Sequence, residues 1–136
     1  MKTCVLDASA LLAFLQREKG HEIVEQALIA GAAISQVNIA EVVTKLSQAG
    51  IPPDTIYKVL ALPNLDMVDL DTAMAYRVGL LRSPTTQIRL SLSDRACLAL
   101  AQFLKLPVLT TDSTWSGLKL GITIVDITSI NRPAKK

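Results

Sequence analysis

Short apolar runs alternating with helical stretches predict an α/β fold, a mostly parallel sheet of about four to five short strands flanked by helices in three layers, α/β/α. Three observations carry this. Strand-like runs and helix-like runs follow one another along the whole chain. Strands separated by helices make βαβ units, whose crossovers cover both faces of the sheet. The 136 residues contain no linker, repeat or low-complexity stretch, so residues 1–136 form a single domain.

The elements follow in order. Residues 3–6 are a first apolar strand, and residues 9–17 a helix with Leu11, Leu12, Phe14 and Leu15 crowding its apolar side. A second helix runs over 21–29 and breaks at Gly31; residues 32–35 are a second strand. Residues 37–49 form a helix stopped by Gly50. Pro52, Pro53 and Asp54 restart the chain, since Pro suits a first helical turn, and that helix ends near Leu62 and Pro63. Residues 65–70 read as a strand, and Asp71 and Thr72 cap a helix reaching Leu81. Ser83, Pro84, Thr85 and Thr86 read as loop. Ser93 is the expected cap of a long apolar helix to Leu104. A strand over 107–110, a short helix over 114–118 and a last strand over 122–127 complete the chain.

Composition excludes several functions. Half the residues are hydrophobic and 19% are charged, which excludes disorder. Aromatics at 4% argue against a single-strand binder built on stacking platforms. The net charge of +2 is too small to imply a non-specific nucleic-acid or membrane-surface protein. Local patches remain: Asp94 is the only acid between Thr72 and Ala96, a span holding Arg77, Arg82, Arg89 and Arg95, and the tail carries Arg132, Lys135 and Lys136. Cys4 and Cys97 sit in apolar runs and read as buried small hydrophobes. No apolar run approaches the ~18 residues of a membrane span, and the start reaches Asp7 before any secretion signal forms; the protein is expected to be cytoplasmic and reduced.

One histidine, His21, read as the solvent-facing start of a helix, removes structural zinc and histidine-based nucleophilic catalysis. No phosphate-binding glycine motif occurs. Carboxylates without histidines suit hard cations such as Mg²⁺ or Mn²⁺.

In open parallel sheets, ligands bind outside the carboxyl ends of the strands. Asp7 ends the first strand and Asp112 the strand at 107–110, so both emerge on one edge. Each reads equally as the N-cap of the following helix, because cap and strand-end positions coincide. Asp94 opens a helix in which Cys97, Leu98 and Ala101 follow at i+3, i+4 and i+7, so it shares or borders a buried face. A first-turn acid favoured by the helix dipole explains its position but not that company. Glu41 lies opposite the stripe Ile39, Val42, Val43 and Leu46, together with Asn38 and Lys45; periodicity favours a solvated polar face. Asp54, Asp66, Asp69, Asp71 and Asp126 read as loop, cap or strand-edge acids.

Four stretches, in order, carry a family resemblance: Val5-Leu6-Asp7-Ala8-Ser9-Ala10-Leu11-Leu12; Ile34-Ser35-Gln36-Val37-Asn38-Ile39-Ala40-Glu41-Val42-Val43; Leu90-Ser91-Leu92-Ser93-Asp94-Arg95-Ala96-Cys97-Leu98-Ala99-Leu100-Ala101; and Leu106-Pro107-Val108-Leu109-Thr110-Thr111-Asp112. With these the chain resembles PIN-domain ribonucleases, most closely the VapC-like toxins of toxin–antitoxin pairs. The resemblance implies that Asp7, Glu41, Asp94 and Asp112 are catalytic acids holding Mg²⁺ or Mn²⁺, with Ser9, Asn38 and Thr111 as supporting polar residues. It implies RNA as substrate, an in-line attack by water leaving a 5′-phosphate and a 3′-hydroxyl, a cognate antitoxin and a homodimer. Arg89 and Arg95 are candidate contacts to RNA phosphate. The chain departs from the pattern at Arg89 and Ser93, where relatives often have glycine, at Ser113, where many have a charge, and at Thr114, where many have a further acid.

Three other readings stand beside this one. A catalytically silent PIN-like module would bind RNA or protein, against which all four acids being present argues. A phosphoacceptor domain would want paired acids after the first strand and a late lysine, where this chain has Asp7-Ala8 and Asp126. A dehalogenase-like phosphatase would want an acid where Ser9 stands.

Overall fold

A computed structural model of the chain describes residues 1–82 and 88–130. The loop expected at Ser83, Pro84, Thr85 and Thr86 and the basic tail Arg132, Lys135 and Lys136 lie outside the described residues. The elements are β1 (Cys4–Leu6), α1 (Ala8–Leu15), α2 (His21–Ala30), β2 (Ala32–Ser35), α3 (Gln36–Gln48), α4 (Pro53–Val59), β3 (Leu65–Val68), α5 (Thr72–Leu80), α6 (Leu92–Leu104), β4 (Val108–Thr110), a 3₁₀ helix (Ser113–Gly117), β5 (Ile124–Asp126) and α7 (Ile127–Ile130).

The five strands are all parallel, in the order β3-β2-β1-β4-β5. Successive connections walk outward from β1 to β3; the chain then returns to β4 on the other side of β1. The order therefore reverses between β1 and β4, and a crevice opens beyond their carboxyl ends at such a switch point.

Strand side chains alternate between two cores. Cys4, Leu6, Ala32, Ile34 and Leu109 face α1, α2, α3 and α4, whose Leu11, Val24, Val42 and Ile56 pack against them. Val5, Ala33 and Val108 face the opposite layer, where α5 and α6 contribute Met74, Val78, Leu98 and Ala101 and the 3₁₀ helix contributes Trp115. This is the expected three-layer α/β/α architecture. Cys4 and Cys97 are buried free thiols, one in each core. His21 opens α2 as expected but is half-buried, with Nε2 3.3 Å from the Glu22 carboxylate. Among the described residues, no helix is long and apolar enough to cross a membrane.

Several element ends fall one to three residues from the sequence reading, among them α1 (expected 9–17), the end of α4 (near 62), β3 (65–70) and the start of β5 (122); two further differences have a clear local cause. The cap of α6 is Ser91, not Ser93: Ser91 Oγ accepts from the Asp94 N–H at 3.0 Å, and Asp94 Oδ2 accepts from the Ser91 N–H at 2.9 Å. This reciprocal capping box satisfies two donors at once and moves the helix start to Leu92. The last strand stops at Asp126, whose Oδ1 accepts from both N–H and Oγ1 of Thr128 and turns the chain into α7. Ile127 is fully buried there, and a Cβ at Gly20, which holds φ +90°, would come within 2.7 Å of its carbonyl oxygen. Ser91→Ala is expected to lower folding stability by about 1 kcal/mol, the usual cost of losing such a cap; denaturant unfolding measures it.

Candidate active site

Asp7 follows β1 directly at the switch point. It is 4% exposed, and its carboxylate caps α1 and bridges strands at the same time. Oδ1 accepts from the Ala10 N–H at 2.8 Å and from Ser9 Oγ at 2.7 Å; Oδ2 accepts from Thr110 Oγ1 at 2.6 Å. The cap reading of Asp7 is met by Oδ1, while Oδ2 turns toward β4.

Ser9 and Thr110 extend this arrangement onto β4. Ser9 Oγ also accepts from the Thr111 N–H at 3.0 Å, and Thr110 Oγ1 accepts from the Asp112 N–H at 3.0 Å. Thr111 therefore contributes its backbone, whereas the fully buried Thr110 contributes its side chain. Thr110 is the residue sequence reasoning missed: its role requires β1 and β4 to be neighbours, and its only sequence signal is a hydroxyl at the end of an apolar strand.

Asp112 is exposed at the start of the 3₁₀ helix. Its Oδ1 accepts from the Thr114 N–H at 2.9 Å and from Thr114 Oγ1 at 2.6 Å. Thr114, one of the chain's departures from the family pattern, thus holds Asp112 Oδ1 through both its N–H and its hydroxyl.

The second half of the site comes from α3 meeting the start of α6. Glu41 Oε1 accepts from Ser93 Oγ at 2.7 Å, and Asn38 Nδ2 donates to the Ser93 carbonyl at 2.9 Å. Asn38 is 1% exposed and Glu41 half-buried, so this end of the polar face expected in solvent is covered, while Lys45 stays exposed. The helical pattern of α3 is correct, but α6 packs its polar amino end on that face. Asn38 Oδ1 is buried without a hydrogen-bond partner. Asp94, half-buried, combines its capping role with proximity to Asp7.

Burial raises the Asp7 carboxyl from 3.8 to about 6; the hydrogen bonds from Thr110, Ala10 and Ser9 pull it back, and the Asp94 charge adds to the rise. Burial also pushes the Cys97 thiol well above its ordinary value, with Asp7 and Asp94 reinforcing the effect. These two acids thus share one electrostatic neighbourhood above Cys97.

Arg95, a candidate phosphate contact, is engaged elsewhere. Its Nη1 donates to the Val78 carbonyl at 3.0 Å, and its buried Nε has no hydrogen-bond partner. The side chain is a strut between α5 and α6. Arg89 is exposed ahead of Ser91.

The donor set is entirely oxygen, carboxylates with an unpartnered buried amide carbonyl, and suits Mg²⁺ or Mn²⁺. Among the described residues, no three His, Cys, Asp or Glu side chains converge closely enough to hold a metal ion. Mg²⁺ usually keeps several waters and takes only one or two carboxylates directly. Asp7 and Asp94, near enough for the Asp94 charge to raise the Asp7 carboxyl, match that habit.

The sequence matches the PIN domain family over residues 4–119, and the chain belongs to that family. Solved structures with the same fold come from toxin–antitoxin assemblies. A chain of the DNA-bound VapBC of Salmonella typhimurium is 18% identical at a TM-score of 0.73, covering 93% of this chain and 99% of that one. A chain of a toxin–antitoxin complex from Klebsiella pneumoniae is 23% identical at 0.68, covering 92% and 98%. A chain of VapBC-5 from Mycobacterium tuberculosis is 23% identical at 0.59, covering 92% and 97%. No curated protein matches the sequence closely enough to count as a relative.

Proposed function

We propose that this PIN-domain protein is a metal-dependent ribonuclease, the toxin of a toxin–antitoxin pair, acting in the cytoplasm. The observation that carries the reading is Thr110, which joins the buried Asp7 carboxylate to the backbone of Asp112 across the switch point. In this reading Asp7, Asp94, Asp112 and Glu41 hold Mg²⁺ or Mn²⁺, directly or through water. When bound, the ion neutralises the acids, polarises a phosphoryl oxygen and lowers the pKa of a bound water.

The chain's own residues do the rest. Ser9, the Ala10 N–H and Thr110 fix Asp7. Thr114 fixes Asp112, and Ser93 fixes Glu41. The exposed Arg89 is the remaining candidate to grip substrate phosphate, since Arg95 is tied to α5.

Partners follow from the same surfaces. An apolar cavity of about 420 Å³ lies between α3 and α4, lined by residues including Ile39, Val43, Tyr57 and Met67. Ile39 shares α3 with Glu41. We assign this side of the molecule to a cognate antitoxin segment carrying Arg or Lys among large hydrophobes, the basic group pairing with the acids. The complexes from which the similar structures come favour such a partner. Exposed Tyr76 and Leu80 on α5 favour a homodimer.

The test is cleavage of RNA by the purified chain. Cleavage is expected with Mg²⁺ or Mn²⁺, giving 5′-phosphate ends, and is expected to stop with EDTA. Asp94→Asn retains an acceptor for the Ser91 N–H but removes the charge, so it should fold and lose activity. Parental cleavage by Asp94→Asn, or cleavage undiminished by EDTA, refutes the assignment. No cleavage by the parent with any divalent ion favours the silent binding module.

A further inference from the structure

We propose that Ser93 is a positioning residue that orients Glu41 for the divalent cation; this rests on the metal-dependent reading above. α3 grips Ser93 twice, from residues three apart on one face: Asn38 Nδ2 holds its carbonyl at 2.9 Å and Glu41 accepts from its hydroxyl at 2.7 Å.

The direction of the hydroxyl chain follows from donor arithmetic. An ionised carboxylate only accepts, so the single Ser93 hydroxyl proton goes to Glu41 Oε1. Ser91 Oγ and Ser93 Oγ stand 3.1 Å apart, so in that contact Ser91 is the donor and Ser93 the acceptor. Ser91 Oγ is itself fixed by the Asp94 N–H. A directed chain therefore runs from the cap of α6 through Ser91 and Ser93 to Glu41. It uses one lone pair of Oε1 and thereby fixes the orientation of the carboxylate that Glu41 offers a cation.

A glycine at position 93 would keep the carbonyl contact to Asn38 and lose the hydroxyl. Glu41 would then keep its rotamer freedom until the cation arrived. With Ser93 the ordering is already done before binding, which raises affinity without adding a ligand.

The experiment titrates Mn²⁺ by calorimetry into the full chain and its Ser93→Val, Ser93→Thr, Glu41→Ala and Ser93→Val/Glu41→Ala variants. Thr and Val have the same shape, and only Thr keeps the hydroxyl. Ser93→Val is expected to weaken Mn²⁺ binding roughly tenfold, the lower end for losing an outer partner of a ligand. Ser93→Thr should restore most of that affinity, and Ser93→Val should cost nothing further once Glu41 is Ala. Melting temperatures in EDTA read the fold separately from the metal. Equal Mn²⁺ affinity for Ser93→Thr and Ser93→Val, or an undiminished loss in the Glu41→Ala background, overturns the proposal while leaving the nuclease reading in place. A parent that binds no Mn²⁺ overturns both.

Discussion

Asp7→Asn is expected to abolish metal-dependent cleavage and, in the same molecule, to stabilise the metal-free fold. The loss of activity should exceed ~100-fold, the upper end of what losing even an outer partner of a metal ligand costs. The gain in stability comes from burial. The Asp7 carboxyl is raised from 3.8 to about 6, chiefly by desolvation, so its charged form is destabilised in the folded chain. A shift of that size corresponds to about 3 kcal/mol between the two protonation states.

The sign follows from proton counting. Between pH 3.8 and about 6 the folded protein binds more protons at Asp7 than the unfolded chain does. Stability is therefore fully present below the lower value and falls as pH rises through the upper one. In EDTA, Asp7→Asn should match the parent near pH 4 and exceed it at pH 7, by up to ~3 kcal/mol. Excess Mn²⁺ should close the gap by stabilising only the parent, in proportion to the logarithm of its concentration over Kd. Denaturant unfolding at the two pH values, with and without Mn²⁺, checks all three statements. A variant no more stable than the parent at pH 7 in EDTA would mean that Asp7 is not strained by burial.

Thr110→Val is expected to be the most damaging isosteric change near the site. It preserves shape in the fully buried strand end but removes the 2.6 Å donor to Asp7 Oδ2 and the acceptor for the Asp112 N–H. A hydrogen bond to a charged group contributes roughly 1.5–3 kcal/mol, and a buried group left without its partner incurs the full desolvation penalty. The variant should lose about 2–4 kcal/mol at pH 7. Cleavage should fall at least roughly tenfold, because Thr110 orients a ligand rather than providing one. Thr110→Ser, which keeps the hydroxyl, should recover most of the activity. If Thr110→Val and Thr110→Ser were equally active, the bridge between β1 and β4 would have no role in catalysis.

Asp7 and Thr110 also mark where sequence reasoning stops. Asp7 was legible because a strand end and a helix start meet there: a helix cap favours Asp among a few residue types, and an acid beyond a strand's carboxyl end is a candidate ligand. Which role it serves was open in sequence. The folded chain gives one oxygen to the cap and the other to Thr110. Glu41 illustrates the opposite failure: its helix was placed correctly, yet periodicity assigned its polar face to water. The capping box at Ser91 and Asp94 was legible in principle, as a serine three residues before an acid, but Ser93 offered a competing cap within two positions.

The sequence by itself determined the alternation of strands and helices, the parallel sheet buried on both faces, and the edge on which Asp7 and Asp112 emerge. These follow from local causes: apolar runs of strand length, helical periodicity, caps and breakers. Only the tertiary structure decided that β1 and β4 are neighbours, that Thr110 therefore reaches Asp7 across 103 residues of chain, that the start of α6 covers Asn38 and Glu41, and that Arg95 braces α5. The physical reason is that a hydrogen bond between distant segments depends on which elements pack together. Packing is decided by the whole core, and a residue's immediate neighbours in sequence carry no record of it.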